Sequence, residues 1–174
     1  MNQKLVLYTG ELNGTPIGDL WLAVSDLGLA AIEWGKTQAE FDAYLARRFR
    51  RPVEYNPGKV EKAAMELSEY LDGKRQDFTL SIDWTLFRPF QQSALKATSR
   101  IPYGETRTYS EIASQIGRPH AARAVGRAEA TNPIPLVIPC HRVIGMDGKL
   151  HGYGLGEGVK TKEWLLKLEK AIMT

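Results

Sequence analysis

The residues with the clearest chemical potential are Cys140, His141 and Arg142, which follow one another in the chain. Cys140 is the only cysteine among 174 residues, so it cannot form a disulfide within the chain. A cysteine kept for packing usually lies among apolar residues. An adjacent imidazole and guanidinium can instead lower the pKa of a thiol and raise its thiolate fraction. The spacing therefore favours a reactive cysteine over a packing residue.

A carboxylate partner is predicted at Glu169, on the apolar face of the last helix. Leu165, Leu168 and Ile172 would form the buried stripe of that helix, and Glu169 lies four residues after Leu165. A buried acid needs a partner, and the imidazole of His141 supplies one. The alternative is an edge position at which Glu169 pairs with a nearby lysine.

The composition argues against membrane proteins and disulfide-rich secreted domains. Of the residues, 43% are hydrophobic and 25% are charged, and no segment approaches the ~20 apolar residues of a membrane helix. The N-terminus lacks a signal-peptide apolar region, and a lone cysteine suits a reducing compartment. We therefore expect a cytoplasmic protein. No cysteine or histidine precedes His120, so we expect no metal in the first half and no cofactor.

The charge of the chain is divided unevenly between its two halves. Residues 1–85 carry 10 Lys/Arg and 13 Asp/Glu, whereas residues 86–174 carry 13 and 7. An acidic half followed by a basic half indicates that the second half contacts a polyanion. A chance imbalance on a solvated surface is the alternative.

The first half reads as a small α/β domain. Its pattern of turns and apolar residues predicts strands at 4–8 and 77–82, two strands within 20–34 that a turn at 26–28 separates, and helices at 38–50 and 59–71. We interpret residues 1–82 as an N-terminal scaffold domain, 83–89 as a linker and 90–174 as a C-terminal domain that binds DNA and carries the chemistry. The predicted fold class is an α/β N-terminal domain plus a mainly α-helical C-terminal domain with a winged-helix-like helix-turn-helix.

Two short helices form the predicted helix-turn-helix. Thr108 and Glu111 have the spacing of a capping box that opens a helix running to Ile116. Gly117-Arg118-Pro119 ends it, and a second helix is predicted over 120–130. The alternative is an ordinary helical hairpin, which the pattern alone does not exclude.

The second of these helices consists mainly of small residues and arginines. It lacks the Asn and Gln side chains that distinguish base edges in the major groove. Small residues allow close backbone approach and suit the narrower minor groove. The candidate DNA-contacting residues are Ala121, Ala122, Arg123, Ala124 and Gly126.

The segment 132–145, NPIPLVIPCHRVIG, resembles the active-site signature of the O6-alkylguanine-DNA alkyltransferases. The match extends upstream through 123–126 and downstream through Gly152-Tyr153 and 162–166. It covers roughly residues 87–170 well and the first half loosely, mainly at 15–18. Such a long ordered set of motifs is far more specific than a single short pattern.

The resemblance implies a DNA repair protein that moves the alkyl group of O6-alkylguanine irreversibly onto Cys140, once per molecule. It further implies that His141 deprotonates the cysteine through a bound water and that Glu169 and Asn132 orient the pair. Asn132 before Pro133 is also a turn-forming residue, and both roles can hold.

The resemblance assigns two residues to base extrusion. The arginine matching Arg123 fills the gap left by the flipped nucleotide, and the tyrosine matching Tyr109 helps rotate the 3′ phosphate and contacts the guanine. A guanidinium can stack on an orphaned base as well as bind phosphate. The alternatives are a surface phosphate clamp for Arg123 and a core aromatic for Tyr109.

The resemblance also assigns pocket walls to Pro135, Val143 and Tyr153, with backbone carbonyls near Cys140 and Val143 facing the guanine amino group. The chain departs from the family at Gly154, which has no hydroxyl to contact O6. The glycine-rich run 152–158 is about two residues longer than usual, which leaves the accepted alkyl size open.

The expected partner is double-stranded DNA that contains O6-alkylguanine, with O4-alkylthymine as a further candidate lesion. We expect a monomer that does not contact membranes. Three other functions remain open: a lesion-binding relative that does not repair, a winged-helix regulator with a redox-sensing cysteine, and a cysteine hydrolase. The cysteine argues against the first, because such relatives lack it.

Overall fold

The computed structural model describes residues 5–172 and divides into two compact units between Leu86 and Phe87. The first unit is built on a mixed sheet with two helices, and the second is mainly helical. The predicted fold class is confirmed. The boundary falls within the predicted linker 83–89, but Asp83 belongs to the first unit, where its carboxylate accepts hydrogen bonds from Ser25 and Arg51.

The sheet of the first unit has the strand order β3-β2-β1-β4. Strands β1 to β3 are antiparallel neighbours, and β4 adds to β1 in parallel. Gly28 opens β3 with a φ of 140° and lies so close to Ser81 that a Cβ would meet the Ser81 carbonyl oxygen at 2.5 Å. The strands are β1 Leu7–Leu12, β2 Leu20–Ser25, β3 Gly28–Trp34 and β4 Val53–Tyr55.

Two helices accompany this sheet, α1 Gln38–Phe49 and α2 Pro57–Leu71. Thr37 and Glu40 form a capping box that starts α1, and Pro57 occupies the first turn of α2, where its missing N–H costs nothing. Both predicted helices are confirmed. The α1 stripe of Phe41 and Leu45 is completely buried with part of the sheet.

Two predictions in this unit differ from the structure. Residues 77–82 do not form a strand, because only Ile82 pairs, in an isolated bridge to Leu29. Thr79 bonds instead to the buried carboxylate of Glu66. The first strand begins at Leu7 rather than at residue 4, which lies outside the described residues.

The second unit contains the predicted helix-turn-helix. The Thr108–Glu111 capping box is confirmed, with the Thr108 N–H donating to Glu111 at 2.6 Å. A two-residue parallel pair, β5 with β6, ties the start of this motif to the chain after Cys140. The elements are α3 Pro89–Thr98, β5 Arg107–Thr108, α4 Tyr109–Gln115, α5 Ala122–Ala130, β6 Val143–Ile144 and α6 Val159–Leu168.

The last helix is shorter than its apolar pattern predicts. It ends at Leu168, Glu169 is its C-cap, and Lys170 adopts a left-handed φ of 58°. Ile172 therefore lies beyond the helix, and both Leu168 and Ile172 are only half-buried. Leu165 and Glu169 are buried, as predicted.

Candidate active site

Cys140 begins a single 3-10 turn, Cys140–Arg142. Its N–H donates to the Ile138 carbonyl at 2.8 Å, and the Arg142 N–H donates to the Pro139 carbonyl at 2.8 Å. The approach to this turn contains Leu136, a buried non-glycine residue with a φ of 75°. Such a conformation persists only where the surrounding structure enforces it, so the segment before Cys140 is rigidly held.

Asn132 holds this segment through its side-chain amide. Its Oδ1 accepts from the Ile134 N–H at 3.0 Å. Its Nδ2 donates to the Ile138 carbonyl at 3.0 Å and lies 3.2 Å from Cys140 Sγ. The amide thus both shapes the turn and positions the sulfur.

His141, Arg142 and Glu169 form a buried charged network behind the cysteine. Glu169 Oε1 lies 2.8 Å from His141 Nε2 and 2.8 Å from Arg142 Nη2, and its Oε2 accepts from Arg142 Nε at 2.9 Å. The N–H of Gly104 adds a fourth donor at 3.2 Å. The structure therefore brings together the predicted His141 and Glu169, and Glu169 pairs with an arginine rather than with a lysine.

The electrostatics of this network decide which nitrogen of His141 carries a proton. Burial raises the pKa of Glu169, but the hydrogen bonds from His141 and Arg142 outweigh it and lower the pKa to about 2. Burial lowers the pKa of His141 despite its bond to Glu169. An ionised carboxylate accepts only, so neutral His141 must donate from Nε2, which leaves Nδ1 as the basic nitrogen.

The thiol of Cys140 does not have the lowered pKa that its neighbours in sequence suggest. Burial raises the pKa to about 12, and the negative charge of Glu129 adds to this effect, while the Asn132 amide opposes it. Arg142 directs its guanidinium to Glu169 and to the Ile101 carbonyl. The sequence-based prediction was wrong here, and the resting thiol is protonated.

Lys162 supplies a buried cation near the thiol. Its Nζ donates to the Val143 carbonyl at 2.7 Å and to the His151 carbonyl at 3.4 Å. Burial lowers its pKa, whereas Cys140 and Glu129 raise it. The Val143 carbonyl retains a second lone pair for another donor.

Of the remaining predicted pocket residues, Tyr153 contacts His141. The Tyr153 ring stands edge-on to the His141 ring, with centroids 6.4 Å apart. Pro135 and Val143 are buried, whereas Gly154 is exposed. A Cβ at Gly154 would come no closer than 3.9 Å to the Ala130 carbonyl.

The helix-turn-helix brings the predicted DNA-contacting residues together. Tyr109, Ala122, Arg123 and Gly126 line one shallow depression of about 290 Å³. A Cβ on Gly126 would lie only 3.8 Å from the Tyr109 ring, so the helix approaches the tyrosine closely. Arg123 is exposed, while Ala124 on the same helix and Ala121 at its N-cap are half-buried.

Several residues near the site were not predicted from the sequence. Met146, 81% exposed, lines the same depression as Arg123. Glu129 and Lys162 are buried charged residues, and because their helices carry other charged residues, no local signal in the sequence marks them. Within residues 5–172 there is no cluster of His, Cys, Asp or Glu that could hold a metal ion. Nor does any helix in that range have the length and apolarity to cross a membrane.

Comparisons with known proteins identify the family of the chain. Two family models match: the DNA binding domain of 6-O-methylguanine DNA methyltransferase over residues 89–171, and the ribonuclease-like domain of the same proteins over 8–84. A methylated-DNA–protein-cysteine methyltransferase of Methanosarcina barkeri is 44% identical over 160 residues, covering 90% of this chain and 93% of that protein. The chain belongs to this methyltransferase family.

Other members of the methyltransferase family are similar along nearly the whole chain. The Salmonella typhimurium methyltransferase is 39% identical over 165 residues, which cover 91% of this chain and 94% of the relative. A crystal structure of Mycobacterium tuberculosis OGT in complex with DNA superposes with a TM-score of 0.74 at 39% identity, covering 96% of this chain and 94% of that one. The resemblance noted in the sequence is thereby confirmed, for both units.

Proposed function

We propose that this methyltransferase repairs DNA by moving the alkyl group of O6-alkylguanine onto Cys140. The observation that carries the proposal is the arrangement of the single cysteine. Its sulfur is held by Asn132 at 3.2 Å, and a buried His141–Glu169 pair lies next to it in the chain. A nucleophile next to an oriented base is the arrangement that covalent catalysis requires.

The transfer is a displacement at the alkyl carbon. The Cys140 Sγ–C bond forms as the C–O6 bond breaks, and the electron pair of the broken bond stays with guanine. His141 Nδ1 takes the thiol proton through a bound water, and Glu169 stabilises the imidazolium through Nε2. The proton then passes to the guanine, which restores the normal base. Because the thiol has a raised pKa, we propose that proton transfer accompanies substrate binding.

The helix-turn-helix serves as the DNA-binding surface. The O6 atom of a paired guanine faces its partner base, so the lesion must leave the duplex before the sulfur can reach it. Arg123 is exposed beside Tyr109, where a guanidinium can fill the vacated stack. The small residues Ala121, Ala122, Ala124 and Gly126 would let the helix backbone approach the minor groove.

The proposal extends to several finer points. The pocket of Pro135, Val143, Tyr153 and Gly154 would accept the flipped base, and O4-alkylthymine is a second lesion that presents an alkyl oxygen.

The first unit, residues 1–82, acts as a scaffold. A buried free thiol suits a reducing compartment, which supports a cytoplasmic location, and we propose that the protein acts as a monomer.

Intact-protein mass spectrometry tests the proposal directly. The protein is incubated with duplex DNA carrying O6-methylguanine, with the Cys140→Ser variant as the matched control. We expect the wild type alone to gain one methylene, located on the peptide that contains Cys140, with one lesion repaired per molecule. Binding without a mass change would indicate a lesion-binding protein, and repeated turnover would indicate a hydrolase; either result would refute the proposal.

A further inference from the structure

Glu129 is a buried acid that the proposed mechanism does not use. It lies near the end of α5 with only 7% of its surface exposed. Its Oε1 accepts a hydrogen bond of 2.6 Å from the Thr98 hydroxyl on α3. Its Oε2 is fully buried and has no hydrogen-bond partner among residues 5–172. A buried carboxylate oxygen with no donor is costly, so this side chain calls for an explanation.

The backbone connects Glu129 to the reactive cysteine. The Glu129 carbonyl accepts from the Asn132 N–H at 3.1 Å, and the Asn132 amide lies 3.2 Å from Cys140 Sγ. The carboxyl is also within electrostatic reach of the pocket. After burial, its charge is the strongest influence that raises the pKa of both Cys140 and Tyr109.

Lys162 is a buried cation whose charge lowers the pKa of both acidic groups. Its ammonium, anchored on the Val143 carbonyl at 2.7 Å, stabilises the ionised forms of Glu129 and of Cys140 alike. A single buried positive charge cannot fully compensate two negative charges in a low-dielectric site. The carboxylate and the thiolate therefore compete for Lys162.

We propose that Glu129 is a positioning residue that regulates alkyl transfer through Lys162. While the Glu129 carboxyl is protonated, Lys162 stabilises the Cys140 thiolate. Once the carboxyl ionises, it competes for the charge of Lys162, and the thiolate loses that stabilisation. The inference rests on the proposed function of Cys140 as the alkyl acceptor. Glu129 itself touches neither the sulfur nor the reacting carbon in this scheme.

The environment of Glu129 places its ionisation in the neutral range. Burial raises its pKa to about 7, although the bond from Thr98 and the charge of Lys162 oppose the rise. The titratable groups that face it are Tyr109 from α4, Cys140 from the 3-10 turn and Lys162 from α6. Above about pH 7, ionised Glu129 therefore holds the thiolate population of the wild type below that of a variant that cannot ionise at this position.

The tests use Glu129→Gln, which keeps an acceptor for Thr98 but cannot ionise, and Glu129→Met as a second neutral side chain of similar length. Glu163→Gln, at the exposed pair with Lys167 on α6, is the matched control. Two quantities are measured across the pH range. One is the thiolate titration of Cys140, followed as the rate at which iodoacetamide alkylates the sulfur at each pH, which needs no substrate. The other is the rate of transfer from free O6-benzylguanine.

We expect both neutral variants to match the wild type at about pH 6 and to exceed it above neutrality, by about tenfold for each unit that Glu129 adds to the pKa of Cys140. Thr98→Val removes the donor that favours the ionised carboxyl, so the pH at which its rate begins to lag behind the neutral variants should be higher than in the wild type. Glu163→Gln should follow the wild type throughout.

The outcomes separate this inference from the proposed function. Thiolate titrations of Glu129→Gln and Glu129→Met that superpose on the wild type would overturn the role of Glu129, whatever the repair activity. Equal slowing at every pH would indicate a purely structural residue and would overturn it as well. A shifted thiolate titration with no transfer in any variant would support the electrostatic coupling and refute the proposed function instead.

Discussion

Replacing Glu169 by glutamine tests how strongly the second unit depends on one buried carboxylate. Burial raises the pKa of Glu169, but the bonds from His141 and Arg142 bring it from 4.5 down to about 2. A difference of this size corresponds to about 3 kcal/mol of folding free energy at neutral pH. Because glutamine carries no charge, it forfeits this contribution and leaves Arg142 buried without a counter-charge.

The sign of the pH dependence follows from the lowered pKa. The unfolded chain binds the Glu169 proton more readily than the folded one, so the contribution is complete above 4.5 and is lost as the pH falls towards about 2. At about pH 3, roughly 1.4 kcal/mol of this contribution to the folding free energy should remain. The gap in the free energy of unfolding between the wild type and Glu169→Gln should therefore be about 2 kcal/mol smaller at about pH 3 than at about pH 7.

Urea unfolding followed by circular dichroism at the two pH values measures this difference. Glu163→Gln on the exposed side of α6 is the control, and it should lie within about 0.5 kcal/mol of the wild type at both pH values. If the free-energy gap between wild type and Glu169→Gln is the same at both pH values, the carboxylate is not the charged partner of His141 and Arg142, and the reasoning fails.

Further expectations concern the sulfur, the DNA face and the Asn132 amide. Cys140→Ser should abolish transfer and leave duplex affinity intact in an equilibrium binding assay, because the thiol contributes chemistry; parallel loss of both would contradict this. Arg123→Ala should slow transfer from duplex DNA at least about tenfold more than from free O6-benzylguanine, since only the duplex needs base extrusion; an equal defect would point to a damaged fold. Asn132→Ala should lower the free energy of unfolding by about 2 kcal/mol and slow transfer, because it leaves the Ile134 N–H unsatisfied; unchanged values would remove Asn132 from the site. Duplex affinity should fall steeply with salt in filter-binding titrations, and a flat response would refute the proposed DNA face.

Local signals in the sequence predicted the second unit well. The capping box of Thr108 and Glu111 and the helix that follows depend on contacts within four residues, so the sequence suffices to find them. Glu169 was found because an acid among Leu165 and other apolar residues needs a partner. Residues 77–82 carry a strand pattern but meet a neighbouring strand only at Ile82, and pairing is a tertiary property.

The chemistry of the cysteine was the harder part to predict. Adjacency in sequence suggested that Arg142 would lower the thiol pKa, but successive side chains in a 3-10 turn are about 120° apart. Arg142 instead binds Glu169, 27 residues away in sequence. Glu129 was missed for a related reason. Its burial depends on packing against Thr98, 31 residues distant, which no local pattern reveals.

The raised pKa of Cys140 also bears on how long a molecule keeps its capacity to act. Oxidants and disulfides react with the thiolate and far less with the thiol, and this sulfur is both buried and protonated at rest. Since the chain holds no second cysteine to replace it, oxidation of Cys140 by peroxide would inactivate the whole molecule. Burial thus protects the unused protein from oxidation, and Cys140 becomes a nucleophile only when the flipped guanine binds.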